Sequence, residues 1–166
     1  MSGQPRYGRA SRTAAAEREE SHYVALDRRR ALHAFDLGAL AAIGSALLYG
    51  FLWGTGLQFG LVAVAIMLGW LIGAAVRYAA WKGLPHHPTR RLQLLGATLG
   101  VATWFGAALV AHLVSRALLP ESDLSYAERL ADLPFWAFMD QQYEAGGIFH
   151  AIALAALVIM GWRTAR

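Results

Sequence analysis

Apolar positions in this chain neither alternate nor keep to one helical face; they fill whole stretches. Four stretches, approximately 35–53, 57–81, 94–119 and 147–162, run with almost no charge. Each is near or above the roughly 18 residues that carry a helix across bilayer hydrocarbon. The pattern predicts an all-α integral membrane protein, a four-helix bundle.

The polar segments between these stretches set the remaining architecture. Residues 1–12 are basic and contain Gly and Pro, a composition expected of a tail without a core. From Thr13 to His33 the residues favour helix and predict a surface helix leading into the first span, so the chain divides into a basic segment, 1–33, and a membrane domain, 34–166. Tyr49, Phe51 and Trp53 gather at the far end of the first span, as an interfacial aromatic belt would. Gly54-Thr55-Gly56 is so short a link that spans one and two must be antiparallel neighbours. Pro120 ends the third span. Beyond it, Ser125 and Glu128 have capping-box spacing. Leu124, Ala127, Leu130 and Leu133 recur on one face, and Pro134 to Met139 adds an aromatic group, so the third loop is expected to hold one or two short interfacial helices before Gly146-Gly147.

Composition agrees with this pattern: 57% of residues are hydrophobic and 16% charged, against about 45–50% and 25% in soluble domains. There is no cysteine, which removes disulfides, thiol chemistry and cysteine metal sites. The polar start places the first apolar run too far along the chain for a signal peptide. The net charge of +4 is explained by topology, and no nucleic-acid partner is expected. Seven Lys/Arg precede the first span, four surround the turn between spans two and three, and two end the chain; only Arg116 and Arg129 fall on the other side, beside six acidic residues in 121–144. The positive-inside rule then places both termini in the cytoplasm.

Few residues offer chemistry. Gly69 and Gly73 in span two, and Gly96 and Gly100 in span three, have the small-xxx-small spacing that lets helix backbones approach. Gly73 and Gly100 are equally distant from the middle of the intervening turn, so the two spans are expected to pack on each other through these glycines. Arg28, Arg29, Arg30, Arg90 and Arg91 are placed for lipid head groups, where each basic residue contributes about 1 kcal/mol. His112 and His150 lie near the outer ends of different spans. Packing or hydration accounts for them, and the sharper alternative is a pair of axial haem b ligands. Asp140 or Glu144 would be needed for a metal site beside them. His86-His87, between prolines, has the marks of a rigid turn. Asp36 sits at a span boundary, so no carboxylate is available near a midplane to couple protons to transport. Ser45 and Ser115 lack a nucleophile motif.

Gly69-Trp-Leu-Ile-Gly73-Ala-Ala-Val-Arg77, the basic turn, Gln93-Leu-Leu-Gly-Ala and the closing Gly161-Trp-Arg163 together resemble hairpins and final helices of uncharacterised bacterial polytopic inner-membrane proteins, over about residues 57–166. That resemblance implies a bacterial inner-membrane location and carries no activity. The function expected is non-enzymatic: an accessory or assembly subunit that binds lipid, other membrane proteins or a second copy of itself, without a cofactor. A haem b electron carrier using His112 and His150, or a small-solute transporter, are the alternatives.

Overall fold

The computed structural model describes residues 7–56, 60–82, 90–118 and 124–166, with side chains from residue 28 onward. These residues form five helices: α1 (Tyr7–Gly54), α2 (Leu61–Trp81), α3 (Arg90–Ala117), α4 (Tyr126–Asp132) and α5 (Phe135–Thr164). Four of them are long and apolar enough to cross a membrane: α1 from Arg28 onward, α2, α3 and α5. The basic turn with His86-His87 and the tail up to residue 6 lie outside the described residues.

The helix expected to lead into the first span and the span itself are one continuous helix, α1. No Gly or Pro occurs between Gly8 and Gly38, so nothing in the backbone stops the helix. The second span starts later than expected, at Leu61, after Gly56 (φ 79) and Gly60 (φ 93) take the left-handed conformation that glycine adopts without penalty.

The long helices pack as a four-sided bundle. α1 rests on α2 and most extensively on α3, and α5 rests on both α2 and α3. α2 and α3 touch each other more lightly, and α1 and α5 occupy opposite corners without backbone contact among the described residues. Every inward face is a stripe at helical spacing. On α2 it includes Ala65, Leu68, Gly69, Ile72, Gly73 and Val76. On α3 it includes Gly96, Leu99, Gly100, Thr103, Trp104, Ala107 and Ala111. Opposite faces present large apolar side chains outward, among them Leu40, Met67, Trp70, Phe105 and Ile148.

The four predicted glycines are at helix contacts, but the expected contact partner is corrected. α2 and α3 do not pack on each other through them; both helices use them to admit α5. A Cβ on Gly69 would lie 2.8 Å from the Leu157 carbonyl oxygen, and one on Gly73 would lie 2.8 Å from that of Gly161. A Cβ on Gly100 would lie 2.9 Å from the Leu157 carbonyl, while Gly96 and Gly161 face each other backbone to backbone. A second set of small residues joins α1 to α3: Cβ atoms on Gly50 and Gly54 would meet the Ala107 and Ala111 carbonyls at 2.5 and 2.8 Å. Thr103 adds a polar tie, its Oγ1 donating to Leu99 O at 2.8 Å with Ala42 O of α1 at 3.4 Å.

One short helix precedes α5. The Ser125 hydroxyl accepts from the Glu128 amide, and Glu128 Oε2 accepts from the Ser125 amide and hydroxyl at 2.7 Å each, closing the predicted capping box. These bonds hold the Glu128 carboxyl below its ordinary range. Tyr126 Oη donates to Leu113 O at 3.2 Å, and Arg129 Nη1 donates to Arg116 O at 3.4 Å, so α4 satisfies carbonyls at the end of α3. α4 has no buried residue. The aromatic segment from Pro134 forms a helical piece of its own, the first part of α5: Pro134 caps it, and it buries Phe138 and Met139. Gly146 (φ −168, ψ 31) is not helical, so α5 is two helices joined at a kink where the break was expected.

Gly161→Val should lower the thermal unfolding midpoint in detergent, a loss of about 1–3 kcal/mol from overpacking against the Gly96 backbone. Gly44→Val, at an α1 position where a Cβ meets nothing within 4 Å, should leave the midpoint nearly unchanged. Equal effects of the two would contradict this packing.

Candidate binding sites at the two ends of the bundle

The end that carries the acidic loop is filled with aromatic side chains. Tyr49 and Trp53 lie one turn apart on α1, and both are buried instead of forming an interfacial belt; only Phe51 of that group is exposed. Trp53 is central. Its ring stacks on the His150 imidazole at 4.3 Å and 27°, and lies within 6.3 Å of Tyr49, Trp104 and Phe138. Its Nε1 donates to Gln142 Oε1 at 2.9 Å. This bond and the stack join α1 to α5 across the diagonal where their backbones do not meet.

His112 and His150 are both packing residues, 4% and 6% exposed. His112 meets the rings of Phe138 at 5.1 Å and Phe135 at 6.0 Å. Ring contacts connect the two imidazoles through Trp53 and Phe138. A cavity of about 440 Å³ lies beside His150, lined among the described residues by Tyr49, Gly60, Leu61, Val62, Gly146, Phe149 and His150. His112 is not among the described residues that line it. The described residues also contain no cluster of three or more metal-ligating side chains.

Several polar atoms at this end are buried without a hydrogen-bond partner among the described residues: Tyr49 Oη, Trp104 Nε1 and His112 Nδ1, with Ser45 Oγ deeper in the bundle. Such a group costs about 1–3 kcal/mol. Tyr49 is 0% exposed and its residue lines the cavity. Nothing in the sequence pattern distinguished it from a belt tyrosine. Gln142 was missed for the same reason, since its role depends on Trp53, 89 positions away.

The opposite end is basic. Arg30, Ala31, Ala80, Trp81, Arg90, Arg91 and Leu92 line a cleft of about 440 Å³ between α1, the end of α2 and the start of α3. Arg30 Nη1 is buried there with no hydrogen-bond partner among the described residues. An adjoining recess of about 510 Å³ includes Arg30, His33, Asp36, Tyr78 and Lys82, with the Lys82 ammonium 5.9 Å from the Tyr78 ring centroid. Of the five arginines expected to meet head groups, the structure brings Arg30, Arg90 and Arg91 together, whereas Arg28 and Arg29 project outward and line neither recess. The grouping of α1 with the end of α2 and the start of α3 was legible only as shared charge.

Compared with protein-family models, curated proteins and solved structures, the chain matches none.

Gln142→Leu would leave Trp53 Nε1 unpaired in the core and should cost about 1–3 kcal/mol, read as a lower unfolding midpoint. Gln142→Glu retains an acceptor oxygen and should lose less. If both variants unfold with the native protein, the bond does not hold α1 to α5.

Proposed function

We propose that this chain is a multi-pass protein of the bacterial inner membrane, with both termini cytoplasmic, that works by binding and not by catalysis. Its basic end holds an anionic phospholipid head group, and the bundle serves as an accessory or assembly subunit for other membrane proteins or further copies of itself. The outward apolar faces of four spanning-length helices support membrane insertion. The orientation rests on thirteen of fifteen Lys/Arg falling on one side of four spans.

The observation that carries the lipid reading is the cleft between Arg30, Arg90 and Arg91. Three arginines border one space at the end of the spanning-length helices. Guanidinium forks match phosphate oxygens bidentately. Basic pockets between spanning helices on the cytoplasmic side are suited to anionic head groups, with each basic residue near the surface contributing about 1 kcal/mol. The buried Arg30 Nη1 leaves a donor for such a phosphate.

Native mass spectrometry of the full chain from mild detergent should retain phosphatidylglycerol over phosphatidylethanolamine. Replacing Arg30, Arg90 and Arg91 by Gln together should weaken that retention on the order of a hundredfold. Undiminished retention would refute the cleft as the lipid site. Orientation has its own test, because the chain lacks cysteine and an introduced one is unique. A membrane-impermeant maleimide should label Ala131→Cys in intact cells, and Arg166→Cys only after permeabilisation. The reverse pattern would invert the topology.

A further inference from the structure

The cavity at the acidic, aromatic end is independent of the basic cleft. It lies between α1, the first turn of α2 and α5, in the diagonal gap that Trp53 bridges only at one level. Its volume of about 440 Å³ is within the range of small-molecule pockets. Two glycines help to form its wall. A Cβ on Gly60 would meet nothing within 4 Å, and one on Gly146 would meet only Phe149 Cδ2 at 3.9 Å. The α5 kink at Gly146 thus adjoins space that no side chain among the described residues fills. Phe149, 65% exposed, belongs to both the wall and the outer surface of α5, so the cavity opens sideways, toward the bilayer if the helices span one.

The wall is apolar at Leu61, Val62 and Phe149, and polar at Tyr49 and His150. Tyr49 is fully buried, and its hydroxyl has no hydrogen-bond partner among the described residues. A phenol enclosed in this way retains a donor proton that hydrocarbon cannot accept. His150 has one ring face covered by Trp53, so its polar contribution comes from the ring edge. A ligand that completes this site needs an acceptor oxygen for a phenolic donor, an apolar body for the remaining wall, and solubility in the membrane. Water alone would satisfy the hydroxyl but would leave the apolar wall wet.

We propose that this cavity binds a membrane-dissolved molecule bearing a carbonyl on an apolar body, with the Tyr49 hydroxyl donating to the carbonyl oxygen and His150 beside it. A quinone ring and the acyl ester of a glycerolipid share that chemistry. The occupancy is reversible and involves no covalent or redox step by the protein.

The full chain in nanodiscs, titrated with decyl-benzoquinone, should show saturable quenching of tryptophan fluorescence, since Trp53 stacks on a wall residue. In a parallel arm, native mass spectrometry follows retention of a dioleoyl glycerolipid. Tyr49→Phe keeps the ring packing and removes only the donor, so the fold should hold while affinity for the occupant falls about tenfold, the effect of losing one hydrogen bond. Gly146→Leu should fill the cavity and abolish binding in the same arm. Quenching that saturates and responds to both variants identifies a quinone. Lipid retention that responds to both, with quenching linear, identifies a glycerolipid ester. If neither arm changes in a folded Tyr49→Phe protein, or if Gly146→Leu binds as the native chain does, the proposal is wrong. Arg30→Gln with Arg90→Gln and Arg91→Gln should leave this site unchanged, which separates its failure from failure of the basic cleft.

Discussion

The bundle depends on the close approach of backbones around α5. Gly96 and Gly161 face each other with no side chain between them, and the carbonyls of Leu157 and Gly161 lie where Cβ atoms of Gly69, Gly73 and Gly100 would otherwise be. Contacts this close give dispersion attraction over a fitted surface, the force that would remain if the helices cross a bilayer, where lipid gives apolar helices no hydrophobic reason to associate. α5 is seated between α2 and α3, and its position holds those two apart enough that they touch only lightly. α1 then closes the other side on α3 through Gly50, Gly54 and the facing Ala107 and Ala111.

That arrangement has a consequence at the two ends. With α1 and α5 on opposite corners, the space between them is not closed by backbone packing. At the acidic end it is occupied by large rings, and Trp53 reaches across to Gln142 and His150. What the rings do not fill becomes the cavity under Tyr49. At the basic end the cleft lies between α1, the end of α2 and the start of α3, and three arginines border it. Both candidate sites follow from helix placement dictated by small residues in the middle of the bundle.

The histidines illustrate the difference between a residue's depth and its neighbours. Position along the helices places His112 and His150 at similar height, which made a shared ligand conceivable. Their ring neighbours differ: Phe135 and Phe138 lie beside one, and Trp53 stacks on the other. Beside the cavity, Tyr49 has a hydroxyl without a partner among the described residues, and its sequence context near Phe51 and Trp53 is that of an interfacial belt. Tyrosine serves equally well at an interface and in a core where one end is polar, so its identity alone does not decide.

Sequence by itself determined the number of spanning-length helices, their approximate extents, the capping box at Ser125 and the segregation of basic from acidic ends. These features are local: they depend on runs of apolar residues, on caps and on charge counts within one segment. The glycines were legible as contact positions for the same reason, since Gly-xxx-Gly is a property of a single helix surface. Only the tertiary structure decided which helix each glycine receives, which aromatics are buried, and which arginines share a cleft. A small-residue stripe shows that something approaches without identifying it, because every helix in this bundle presents a similar stripe. The partner is selected by the fit of all four helices at once, and that fit is not encoded in any one of them.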